Sequence, residues 1–179
     1  MRVFTSIPFF LFLLVAGALP GQTLNLLHQL QFVSQSFPWG AGGTSDCWGW
    51  EAPDGTEYEI VGNYNSVAYI RASEGLVCDS IVAPELNNPS YHRDMVAFGQ
   101  YAYCVSEQDG VNAGMMIFDL SPLPDSVRFV KAWTDNGTFT KSHNMDIDPS
   151  TGDLYLEGDV VQGFYIVNIA DPENPVMEG

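Results

Sequence analysis

The sequence predicts an all-β chain built from repeated four-stranded units, the blades of a β-propeller. Three observations carry that expectation. A strand–turn–strand–turn–strand pattern occurs three times, its copies are spaced by 48 to 50 residues, and the third run of each copy is apolar on both alternating sets of side chains. A period near fifty residues with several strands per unit is the signature of propeller blades.

The clearest copy spans Arg93 to Ser121: RDMVAF (93–98), a turn at Gly99, YAYCVSE (101–107) and GMMIFDLS (114–121). The copy before it reads DCWGW (46–50), Pro53-Asp54-Gly55, YEIVGN (58–63) and SVAYIRAS (66–73). The copy after it reads HNMDID (143–148), Ser150-Thr151-Gly152, DLYLEG (153–158) and GFYIVNIA (163–170). Aligning Asp46, Asp94 and Asn144 gives spacings of 48 and 50, and aligning Ser66, Gly114 and Gly163 gives 48 and 49. Gly55, Gly99 and Gly152 stand where a tight hairpin asks for a positive φ.

In the middle copy Met115 and Ile117 fall on one face of the third run, with Met116, Phe118 and Leu120 on the other. A strand apolar on both faces is covered on both, as stacking between neighbouring units requires. A weaker β run follows each third run, at Leu76–Val82, Val127–Trp133 and Pro175–Met177, and reads as a more polar outer strand. The repeats thus cover about 46–82, 93–133 and 143–179 of a partial propeller over 22–179. Propellers close with about four blades at least, commonly six to eight. The expectation is an N-terminal fragment of a six- to eight-bladed propeller, about three blades of which are present.

Before the repeats, Arg2 and the apolar run Phe9–Ala16 are followed by small residues up to Ala18 or Gly21, the pattern of a cleaved secretory signal over residues 1–21. It addresses the protein to the outside of the cell, secreted or held at the surface. Ile7–Leu19, interrupted by Pro8 and Gly17, is too short to span a bilayer, and the mature chain has no transmembrane stretch. Leu24–Val33 fits a helix or one outer strand, and Ser34–Ser45, with Phe37 and Trp39, reads as a long loop.

Six basic residues oppose 22 acidic ones, for a net charge of −16 that falls to −17 when Arg2 leaves with the signal. No basic face can be assembled to displace phosphate counterions, which argues against nucleic acid as a partner. The charge suits a soluble exported protein and is compatible with cation binding. Cys47, Cys78 and Cys104 allow at most one intramolecular disulfide, and the absence of C-x-x-C gives no zinc knuckle or redox pair. Cys104 sits in a strand-like run and reads as a buried thiol.

The loop entering the innermost strand of a blade lies on one rim of the propeller. Asp46, Arg93, Asp94, His143 and Asn144 occupy that position, with His92, Tyr91, Trp39 and Phe139 on the loops leading in. Carboxylates, imidazoles and aromatic rings brought together there could hold a small polar ligand or a divalent cation such as calcium. The competing role for the same residues is to cap strand starts and tie neighbouring blades together.

Other motifs fail on context. Asp146-Ile-Asp148-Pro-Ser150-Thr-Gly152…Glu157 resembles a calcium loop, but its glycine is one position late and the flanks are strands. A hairpin turn accounts for it better. His92-Arg93-Asp94 begins like a kinase catalytic loop without the rest of that site. No G-x-S-x-G, H-E-x-x-H or Walker A spacing occurs. Ser106-Glu107 and Glu157 end their second strands and could line the rim, yet three histidines give no identifiable nucleophile–base pair. No catalytic residue is assigned. The sequon at Asn136-Gly-Thr138 matters only in a glycosylating host.

The ending Tyr165-Ile-Val-Asn-Ile-Ala-Asp-Pro-Glu-Asn-Pro-Val-Met-Glu-Gly179 resembles the LVIVD repeat: an apolar strand, an aspartate–proline turn, a second proline and another strand. With Asp46-Cys-Trp-Gly-Trp50, Tyr58-Glu-Ile-Val-Gly62, Tyr101–Glu107, Ile117-Phe-Asp-Leu120 and Ser142-His-Asn144, the chain from Asp46 onward is similar to the choice-of-anchor B family. The resemblance implies an extracellular or surface propeller with no established reaction. Two functions follow as expectations: a non-catalytic propeller presenting a loop-built face to a protein, glycan or small ligand, and a metal-assisted hydrolase or lyase with Asp46, Asp94 and His143 around the ion.

Overall fold

Runs of alternating apolar and polar residues, broken at three glycine turns, pair into antiparallel meanders. The computed structural model describes residues 25–32, 35–37, 40–82, 92–107, 114–157 and 163–179. The expected signal over residues 1–21, Trp39 and Tyr91 lie outside them.

A short hairpin, β1 (Gln35–Phe37) and β2 (Gly40–Gly42), precedes three four-stranded sheets. The first is β3 (Thr44–Glu51), β4 (Glu57–Asn63), β5 (Ser66–Arg71) and β6 (Leu76–Val82), in that order. The second is β7 (Arg93–Phe98), β8 (Tyr101–Ser106), β9 (Met115–Asp119) and β10 (Arg128–Trp133). The third is β11 (Asn144–Asp148), β12 (Asp153–Glu157), β13 (Phe164–Asn168) and β14 (Val176–Met177). Every pairing is antiparallel between sequence neighbours. Gly55, Gly99 and Gly152 have φ of +83°, +59° and +78°, so the three predicted hairpin turns take the left-handed conformation that favours glycine. The Asp148–Gly152 turn is a hairpin, as preferred over a calcium loop: the Asp148 carboxylate accepts from the Ser150 N–H (2.8 Å) and Oγ–H (2.6 Å).

The first strands stand side by side, with β7 touching both β3 and β11, and two apolar layers fill the space between sheets. Ile60, Val67, Tyr69, Met95, Met116, Phe118 and Leu120 form the layer between the first and second. Val96, Tyr103, Met115, Ile117, Leu154, Leu156 and Val167 form the layer between the second and third. The two faces of β9 therefore enter different layers, and every residue of β9 is buried. The third sheet departs from this pattern. Only alternate residues of β13 are buried, and Phe164, 48% exposed, stacks on Tyr155 across the outer face. The expectation that each third run is covered on both faces holds for the first two sheets; the third has a neighbour on one face only among the described residues.

Three expectations need correction. Within Leu24–Val33, the described residues 25–32 form neither helix nor strand. Leu26 and Leu27 are 80% and 77% exposed, so the run has no face on which to bury an apolar stripe, and a lone short helix is marginal in water. Ser34–Ser45 is not a continuous loop. It holds β1, β2 and the start of β3, a pairing by backbone hydrogen bonds that a Gly- and Ser-rich composition does not advertise. Phe139 is not a rim residue but fully buried, with Trp133 and Tyr165 at ring-centroid distances of 5.9 and 5.6 Å.

Candidate functional site

Because equivalent residues begin β3, β7 and β11, the register of the three sheets brings their entry residues to one end. Ser45, Asp46, His92, Arg93, Asp94, His143 and Asn144 line a cleft of about 320 Å³ there. All six residues expected on the rim are present, and Ser45 joins them.

These side chains divide between cohesion and access. Ser45 Oγ accepts from the Arg93 N–H (2.9 Å) and donates to the Arg93 carbonyl (2.8 Å), closing a two-way bond between the first and second sheets. Asp46 Oδ2 accepts from the Met95 N–H (3.3 Å), and one repeat later Asp94 Oδ2 accepts from the Met145 N–H (2.7 Å). Each carboxylate thus reaches forward to the next first strand. The same device recurs at the outer strands, where Asp79 Oδ2 accepts from the Val127 N–H (2.8 Å). Arg93 is only 2% exposed; its Nε donates to the Asn63 carbonyl (2.8 Å) and Nη2 reaches the Tyr64 carbonyl (3.5 Å). Gly62 makes room for it, since a Cβ there would lie 2.9 Å from Arg93 Cβ and 2.6 Å from Met95 Cε. Arg93 is accordingly a buried strut beneath the cleft, and its charged group is turned away from solvent.

The accessible part is His92, His143 and Asn144, and Glu107, expected from its strand-end place to be able to line the rim, lies against the two histidines. His92 immediately precedes β7 and Glu107 immediately follows β8; Arg93 and Ser106 are opposite each other in that pair, which puts His92 and Glu107 at the same sheet end. His143 precedes β11, anchored by its own N–H to the Glu157 carbonyl (2.9 Å), while the Ser142 N–H reaches the Ser106 carbonyl (3.3 Å). Ser142 Oγ also donates to the carbonyls of Asn144 and Glu157. Glu107 Oε1 lies 2.8 Å from His143 Nδ1, and Oε2 lies 3.8 Å from His92 Nε2. The imidazole centroids are 5.0 Å apart. The sequence signal for Glu107 was its place at the end of the second strand; its pairing with the two histidines was not expected.

Burial raises the Asp94 carboxyl to about 6, reinforced by a hydrogen bond and repulsion from Asp46; the backbone N–H groups of Met145 and Met95 oppose the rise. The sign follows from linkage. A carboxyl whose folded value lies above its unfolded one favours folding below pH ~3.8, and this contribution is lost as pH climbs through about 6. Asp94→Asn keeps an oxygen for Met145 and offers Asp46 a donor. Between pH 4 and 7.5 its stability relative to wild type is therefore expected to improve by about 1–2 kcal/mol, a range reduced for partial exposure. Urea melts of both proteins at the two pH values measure it; a pH-independent difference would refute the raised Asp94 carboxyl.

All three cysteines are free. A hydrogen bond with Glu59 holds Cys47 up at about 11, and burial holds Cys104 at about 11, so neither supplies a thiolate at neutral pH. Among the described residues no helix is long and apolar enough to cross a membrane.

No family model and no curated protein matches the chain. Among solved structures it is similar to Kuenenia stuttgartiensis hydrazine synthase, with a TM-score of 0.50 and 13% identity over 84% of this chain and 38% of that one. It also overlaps a GH43 β-1,3-galactosidase solved with galactodeoxynojirimycin, at a TM-score of 0.45 and 12% identity, over 76% of this chain and 45% of that one. The chain spans less than half the length of either. At 13% identity the likeness to the first is one of fold alone, and the chain's own fold is all-β, of antiparallel four-stranded sheets.

Proposed function

We propose that the three sheets are consecutive blades of an exported β-propeller and that the rim cleft binds a small polar ligand rich in hydroxyl or ammonium donors. The repeat length, the side-by-side first strands and the apolar layers between sheets support the propeller. The partly exposed Tyr155–Phe164 face suits a further sheet of the same kind. Export rests on the N-terminal signal, and the family resemblance agrees with it.

The observation that carries the binding reading is the convergence of polar side chains from three separate sheet entries on one cleft. Asp46, Asn144 and Glu107 present mainly acceptors, so the complementary ligand is a donor such as a glycan hydroxyl cluster or an amine. Screening glycans and polyamines by thermal shift and ligand-observed NMR tests it. A ligand that protects wild type should protect Asn144→Ala and Asp46→Asn about tenfold more weakly; equal protection of all three would overturn the site.

One observation favours the metal-assisted hydrolase reading. The His143–Glu107 contact is the imidazole–carboxylate pair that acid–base catalysis uses. The expected ion-binding trio Asp46, Asp94 and His143 shares the cleft, but the metal-compatible spacing belongs to His92, Glu107 and His143. Turnover on an ester and glycoside panel, abolished by His143→Ala in a folded protein, would replace the binding reading with the catalytic one.

A further inference from the structure

The geometry points to a divalent transition-metal site of the zinc class formed by His92, Glu107 and His143. One ligand atom from each lies within 4.8 Å of the others. Their backbone positions are fixed independently of the side chains: His92 and Glu107 by the end of the β7–β8 ladder, and His143 by the bonds of Ser142 and His143 to the second and third sheets. The two sheets thus set three donors around one point, with Glu107 already between the two rings.

The donor set decides the ion. Two imidazole nitrogens and one carboxylate suit zinc, copper, nickel or cobalt, whereas calcium takes about six to eight oxygens. The calcium expected from the sequence is therefore the wrong class for these three residues. Three protein ligands leave a fourth position of a tetrahedral ion for water or a bound ligand. Bonds of about 2.0–2.1 Å put the donors of a tetrahedral ion about 3.3 Å apart, so the 2.8 Å His143–Glu107 contact must open and the 3.8 Å His92–Glu107 contact close, each by about 0.5 Å. Side chains 48%, 46% and 44% exposed can make that movement by rotation alone. Asp46 and Asp94 in the same cleft, and the net charge of −16, place the ion in a negative field.

This inference deepens the reading of the cleft as a ligand site and rests on it, without depending on export or on the propeller. The test is titration of the chelator-treated protein with Zn²⁺ and, separately, Ca²⁺ by calorimetry at pH 7.5, with Co²⁺ as a spectroscopic probe. One zinc per chain should bind, Ca²⁺ should not compete, and the cobalt spectrum should lack thiolate charge-transfer bands, which excludes Cys47 and Cys78. His143→Ala, His92→Ala and Glu107→Gln should each weaken zinc by about 100-fold or more. His28→Ala, the one histidine outside the cleft, should leave it unchanged, and circular dichroism checks that each variant is folded. Absence of stoichiometric zinc, retention of zinc by the His92→Ala/His143→Ala double variant, or a thiolate spectrum would each overturn the site. Zinc binding with no polar ligand in the cleft would refute the ligand reading alone; the converse would refute the metal alone.

Discussion

Replacing Arg93 by alanine is expected to destabilise the protein by about 3 kcal/mol, although the residue opens the rim loop where a ligand contact was anticipated. Two losses combine. The guanidinium gives charge-assisted hydrogen bonds to the Asn63 and Tyr64 carbonyls, about 1.5–3 kcal/mol together once desolvation is offset, and reaches the Cys104 thiol, while its stem fills space beside Gly62. Arg93→Lys should recover only part of the loss, because a single ammonium cannot reproduce the planar fork that serves two successive carbonyls. Arg93→Met, which keeps the apolar stem, separates the two contributions: it should fall between Lys and Ala. For a chain of this size each kcal/mol moves Tm by about 2–4 °C, so alanine should lower it by about 6–12 °C. An alanine variant within about 0.5 kcal/mol of wild type would show that the strut is dispensable and return Arg93 to the ligand side of the account.

Phe118→Ala is expected to cost more, about 3–5 kcal/mol. Phe118 is 1% exposed at the centre of the layer between the first two sheets, edge-on to Tyr69 at 5.9 Å and beside Phe129 at 5.7 Å. Truncation leaves a cavity that two paired sheets cannot collapse to fill, since each is held by its own ladder. Phe164, 48% exposed on the outer face of the third sheet, is the matched control, and its alanine variant should cost less than about 1 kcal/mol. Denaturant melts of the two variants decide the matter. Equal losses would mean that the layer between the first two sheets is not what couples them, and the side-by-side arrangement of Asp46 and Asp94 would then need another support.

The periodicity of the sequence was enough to locate nearly every strand. The runs around Tyr58, Ser66, Arg93, Tyr101, Met115, Asp153 and Phe164 all became strands, and the outer strands at Leu76–Val82 and 128–133 followed their weaker β signal. That success has a local cause. Alternation and positive-φ glycines act over a few residues, so they are legible without knowing the partner strand. The alignment of repeats also brought the entry residues to one end of the sheets, because residues in equivalent positions of stacked copies must reach the same end.

Tertiary structure decided what each rim residue does. Asp94, Arg93, His143 and Asn144 look alike as polar residues at strand starts, yet one latches a neighbouring N–H, one is buried beneath the cleft, and two face solvent. Phe139 entered the core, and Glu107 met the two histidines, for the same reason. A side chain's partner across two sheets is set by register and by the distance between layers, neither of which leaves a local pattern. The sequence by itself determined the strands, the turns and the shared end of the repeats; the packing of sheet on sheet determined which of those polar side chains hold the sheets together and which remain able to hold something else.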